Sequence, residues 1–201
     1  NYLLTEKKAP VGGTSAGCAI LGSIYYSGEN GSTTSAVALE NPFDETIKLY
    51  SNDFLKAPFL QNVITDQHYL AREREGRLMV FLGRILKDWN IAAKAIAVDE
   101  RTAVCIDETG KAQVFGDYSA TRPYSNAYFL STDLNKKPET LLANTKVTWS
   151  QATQAVNVYE ITASETGGGN FNVASFKFTE ATGGKSYWWS VNNGVLLKKQ
   201  Q

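Results

Sequence analysis

The chain has 201 residues, 43% of them hydrophobic and 11% aromatic, enough apolar material to bury one sizeable core or two small ones. Twenty Lys and Arg balance twenty Asp and Glu, so overall charge points to neither nucleic acid nor an anionic membrane as partner, and any recognition must be local. No apolar run approaches the roughly 18–20 residues of a membrane span, and the start Asn1-Tyr2-Leu3-Leu4 is not a signal peptide.

In chain order, Tyr2 to Lys8 reads as the last turns of a helix, and Pro10-Val11 as the end of a strand. Gly12-Gly13-Thr14-Ser15-Ala16-Gly17 then passes into Ala/Ile/Leu-rich sequence predicted as a helix to about Tyr26. A loop follows from Ser27 to Thr34, then a short helix over Ser35–Glu40, stopped near Asn41-Pro42. Strands are predicted at Ile47 to Tyr50 and Phe59 to Thr65, and an amphipathic helix over Leu78 to Trp89. Lys94 to Val98 reads as a strand, and Ala103 to Ile106 with Ala112 to Phe115 as a hairpin. Beyond it the period stays short, with strands expected at Tyr128 to Leu130, Lys146 to Trp149, Val156 to Ile161, Phe171 to Phe178 and Tyr187 to Val191. The expected organisation is an α/β unit over residues 1–130 and a β-rich extension or small subdomain over 131–201. An elbow strand with nothing before it also suggests the later part of a longer chain, with a partner chain or second copy covering the open sheet edge.

Two stretches carry chemistry. Gly13-Thr14-Ser15-Ala16-Gly17 has the Gly-x-Ser-x-Gly form of a nucleophile elbow, in which a serine on a tight turn is exposed and the next backbone N–H, here that of Ala16, faces a developing oxyanion. The same residues also suit a close-packed turn or a phosphate cradle. The second stretch is Asp66-Gln67-His68 followed by Arg72, Arg74 and Arg77. His68 is the only histidine, so an imidazole base from this chain for Ser15 must be His68. Either Asp99 or Glu100 would orient that imidazole. The three arginines read as an anionic-substrate pocket or as a salt-bridged face. Cys18 and Cys105 both read as buried thiols, and nothing has the spacing of a metal site.

Taken together, Gly13-Thr14-Ser15-Ala16-Gly17, then Asp66-Gln67-His68 with Arg72, Arg74 and Arg77, then Val98-Asp99-Glu100-Arg101-Thr102-Ala103 resembles the cyanophycinase family. These are serine peptidases related to aspartyl dipeptidase, with a fold similar to the class I glutamine amidotransferases. The resemblance implies a three-layer, mostly parallel sheet whose upstream half lies outside these residues. It implies Ser15 as nucleophile, His68 as general base and Glu100 as the third member, with Ala16 giving an oxyanion donor. It implies that Asp66, Gln67, Arg72, Arg74 and Arg77 hold an aspartate-rich or cyanophycin-like substrate, and that no metal or cofactor takes part. Alternatives of the same fold are an α-aspartyl dipeptidase and a non-catalytic binder of anionic peptides. The Thr/Asn/Gly-rich tail leans towards a secreted or periplasmic setting.

Overall fold

In the computed structural model, which describes residues 1–52, 55–117, 119 and 125–201, the chain is an α/β structure built on one large mixed sheet. Its helices are α1 (Tyr2–Thr5), α2 (Ala16–Ala19), α3 (Ser35–Glu40) and α4 (Glu75–Trp89). Its strands are β1 (Ile24–Tyr26), β2 (Leu49–Ser51), β3 (Val63–Asp66), β4 (Lys94–Val98), β5 (Thr102–Ile106), β6 (Lys111–Gly116), β7 (Asn126–Ser131), β8 (Val156–Thr162), β9 (Gly168–Asn172), β10 (Lys185–Asn192) and β11 (Val195–Gln200). Eight strands form the large sheet in the order β11-β10-β8-β7-β4-β3-β1-β2, and β5-β6-β9 form a second sheet.

Strand periodicity explains how one sheet serves two cores. Successive side chains point to opposite faces, so Ile64, Ala95, Ala97, Tyr128, Leu130 and Val158 pack with α4 on one side. Their sequence neighbours Val63, Ile96, Ala127, Phe129, Tyr159 and Ile161 pack with the small sheet on the other. The result is three layers, with α3 and α4 on one face and β5-β6-β9 on the other. α4 begins one turn before its apolar period does. Gly76 meets α3 so closely that a Cβ there would lie 2.7 Å from Leu39 Cδ1, and the Arg77 backbone N–H donates to Ser35 Oγ at 3.0 Å.

Several expectations are corrected. The sheet is not mostly parallel: β1, β3 and β4 run parallel, and every other pairing in it is antiparallel. Residues 7–14 form no strand before Ser15, and the helix after it ends at Ala19 because Gly22-Ser23-Ile24 turns directly into β1. A Cβ on Gly22 would lie 2.2 Å from Val63 O, so this entry into the sheet requires glycine. Residues 146–149 make only isolated bridges, Thr148 to Thr140 and Trp149 to Val191. The strand expected at 171–178 begins earlier, at Gly168, and ends at Asn172. β11 was not anticipated, although Asn193 and Gly194, at φ 47° and 78°, form the two-residue hairpin turn for which Asn-Gly is the usual signal. Residue 130 lies inside β7, and β8, β10 and β11 continue the same sheet outward from it.

Beneath the C-terminal end of β3 lies a buried charge cluster. Asp66 takes Arg77 Nε at 3.0 Å and Nη2 at 2.5 Å, with Arg74 Nη1 at 3.6 Å. The Arg77 guanidinium also lies over the rings of Tyr26 and Phe81 and donates to Thr33 O. Removing one partner from such a cluster strands the other charge in the interior, so Asp66→Ala should cost about 3–5 kcal/mol in urea unfolding. Lys146→Ala, which breaks an exposed pair with Glu40, should cost less than about 1 kcal/mol.

Candidate active site

Ser15 caps the four-residue helix α2 with φ 51° and ψ −121°, a conformation that side-chain-bearing residues rarely adopt. The two glycines flanking it are not equivalent. A Cβ on Gly13 would fall 2.2 Å from Gly17 O, so the turn closes only over a bare Cα there, whereas the space around Gly17 is open. Ser15 and Ala16 are exposed at the surface rather than enclosed in a cleft. The Ala16 N–H has no hydrogen-bond partner among the described residues, and the N–H groups of Gly17 and Cys18 are taken by Thr14 O and Ser15 O.

The other two members come from the parallel part of the sheet. β3 and β4 pair in register Asp66 to Ala97, so the chain leaves both strands at the same end. His68 stands two residues beyond β3 and Glu100 two residues beyond β4. Helix α2 is tied to the same end by Thr65 Oγ1, which donates to Cys18 O at 2.5 Å. These three attachments bring Ser15 Oγ to 3.1 Å from His68 Nε2, and His68 Nδ1 to 2.8 Å from Glu100 Oε1. A carboxylate only accepts, so Nδ1 carries the proton, and Nε2 is left to accept from the Ser15 hydroxyl. The side chains of His68 and Glu100 are 23% and 50% exposed. Glu100 is held below the usual carboxylate range, chiefly by its hydrogen bond with His68, with the charges of His68, Arg72 and Arg101 acting the same way.

Of the two carboxylates at the end of β4, Glu100 meets the imidazole and Asp99 does something the sequence did not reveal. Asp99 is 3% exposed; its Oδ1 accepts from Leu70 N at 2.9 Å and its Oδ2 from Asn126 N at 3.0 Å. With Tyr69 N donating to Val98 O, it fixes the segment carrying His68 against the turn carrying Glu100. Burial raises its pKa against the opposing pull of these two hydrogen bonds.

The basic cluster divides. Asp66 and Arg77, expected in the pocket, are instead buried against each other, so neither presents free hydrogen-bonding capacity at the surface. Arg74 is 7% exposed, and its Nη1 donates to Gln67 O and Gln67 Oε1, so Gln67 and Arg74 hold one another. Burial first and the charge of Arg77 second push the Arg74 guanidinium down to about 10. Arg72 alone of the three is exposed. Cys18 is partly buried, its thiol pushed up to about 11 by burial and by Asp66, which makes it a poor nucleophile beside Ser15. Cys105, expected to be buried, is exposed because it lies with Ala103 on the face of edge strand β5 that stays open among the described residues, while Val104 and Ile106 pack inward. Among the described residues no cluster of three or more His, Cys, Asp or Glu could hold a metal, and no helix is long and apolar enough to cross a membrane.

No known family model and no curated protein matches this chain.

Two substitutions test the geometry. Asn at position 99 offers one carbonyl where two N–H groups need acceptors, so Asp99→Asn should destabilise by about 1–3 kcal/mol in urea unfolding. Its His68 ring signals should also broaden. The lowered Glu100 pKa means that its ionised form contributes stability above the unfolded value of 4.5, and that this contribution is lost as pH falls through the lower folded value. Glu100→Gln should therefore flatten this part of the acid side of the stability profile while leaving its alkaline side unchanged.

Proposed function

We propose that this chain is a serine-type hydrolase acting on aspartyl or β-aspartyl peptide bonds, as in the cyanophycinases. The observation that carries the reading is the unbroken line from Ser15 Oγ through His68 to Glu100, with each separation at hydrogen-bond distance. In this reading Ser15 sits on a nucleophile elbow within a fold similar to the class I glutamine amidotransferases. The strained φ of Ser15, its exposure and its place at the cap of α2 support that assignment.

The chemistry follows from the tautomer. His68 Nε2 takes the Ser15 proton as Oγ attacks the scissile carbonyl, and the imidazolium so formed is stabilised by Glu100 across Nδ1–H. The carbonyl oxygen becomes an oxyanion within reach of the free Ala16 N–H. His68 then passes its proton to the leaving amine, an acyl group remains on Ser15, and water activated by the same imidazole releases it. Serine first, histidine second and acid third separates this order from the α/β-hydrolases, in which the acid precedes the histidine.

The test is hydrolysis of a β-Asp-Arg polymer and of Asp-X dipeptides by wild type and Ser15→Ala. Dipeptide release should fall by about three orders of magnitude or more in the variant. Preference for the polymer indicates a cyanophycinase, and preference for dipeptides an aspartyl dipeptidase. Failure of wild type to hydrolyse either substrate overturns the peptidase reading and leaves a binding module.

A further inference from the structure

The turn that delivers Glu100 contains an oddity. Arg101, the next residue, has φ 58°, a left-handed conformation that glycine or asparagine adopts at less cost than arginine. Its side chain does not explain the choice through any internal contact. Among the described residues the Arg101 guanidinium makes no hydrogen bond or ion pair, and the residue is exposed. Arg72 is the counterpart on the other loop. Its backbone N–H donates to His68 O at 3.1 Å, it is exposed, and its guanidinium is likewise unpaired among the described residues.

Two unpaired guanidiniums thus flank the His68–Glu100 pair, one anchored beside each member. Both lie near enough to favour the charged form of Glu100, yet neither is within ion-pair distance of it. Glu100 is engaged by the imidazole, so it does not neutralise them. The other two arginines of the run are already bound, Arg77 to Asp66 and Arg74 to Gln67 and Asp66. A guanidinium is a planar fork of donors suited to a carboxylate.

Resting on the hydrolase reading above, we infer that Arg101 is a specificity-determining residue which, with Arg72, receives a carboxylate of the substrate beside the reacting carbonyl. A carboxylate held between the two loops would also keep the substrate in register with Ser15.

Arg101→Gly tests this, because it relieves the backbone while deleting the guanidinium. The chain has one histidine, so the ring-proton signals of His68 report binding without ambiguity. Wild type and variant are titrated with acetyl-aspartyl amide and with its neutral isostere acetyl-asparaginyl amide. The expected result is saturable shifts of the His68 signals, with the aspartyl compound binding wild type about fivefold more tightly than it binds the variant. The asparaginyl compound should not distinguish the two proteins, and the variant's Tm should be no lower than that of wild type. Arg101→Asn, which also tolerates positive φ, repeats the comparison should the glycine variant fold poorly. Equal binding of the two compounds by wild type, absence of saturable shifts, or unchanged aspartyl binding in the variants overturns the inference. Carboxylate-selective binding without Ser15-dependent hydrolysis would instead overturn the peptidase reading alone.

Discussion

Parallel pairing of β3 with β4 is the constraint on which the candidate site depends. Antiparallel neighbours send their following loops to opposite ends of a sheet, but two adjacent parallel strands deliver theirs to one end. Here that places the residues after Asp66 and those after Val98 side by side. On one side β1 runs parallel to β3 and sends the loop holding Thr33 to the same end, and on the other the antiparallel β7 begins there, at Asn126. Only a short parallel region inside a mostly antiparallel sheet is needed to bring an imidazole to a carboxylate.

Strand direction brings the loops together, and buried charge fixes their geometry. Asp99 is an acceptor shared by the segment after His68 and by β7, at the cost of burying a carboxylate. Asp66 anchors the start of the same loop from below through Arg77. The two aspartates frame His68 in sequence and space, and neither touches it. This division explains why so charged a region has so few free charges. Asp66, Asp99, Arg74 and Arg77 hold backbone or one another in place, and the guanidiniums of Arg72 and Arg101 lie at the surface without a hydrogen bond or ion pair among the described residues.

Left-handed backbone occurs in this region as it does in other turns of the chain. Ser15, His68 and Arg101 all have positive φ, and each belongs to or adjoins the Ser15–His68–Glu100 line. Side-chain-bearing residues in this region cost stability, and they persist where surrounding contacts over-determine them. Positive φ also occurs in turns remote from this line, at Asn90 and Asn193, where asparagine bears it readily, and equally at Lys8, Phe59, Ala152 and Phe176.

Much of this was legible in the sequence. Helix α3 and strand β4 stand where periodicity and stop signals put them, because a short amphipathic pattern and a β-rich run are local properties. The pairing of Ser15 with a lone histidine was legible by elimination, whereas the residues alone left Asp99 and Glu100 open and only the resemblance singled out Glu100. What the sequence did not contain was direction and depth. A strand reads the same whether its neighbour is parallel or antiparallel, so the mixed sheet was invisible in it. An arginine run likewise does not show which guanidinium will be buried, and Arg74, Arg77 and Arg72 have three different fates within six positions. The chain by itself determined which residue types are available to react. Tertiary structure decided which of two adjacent carboxylates faces the imidazole and which faces the backbone, because that depends on how the end of β4 turns against β7 and the loop after β3, a contact between segments distant in sequence.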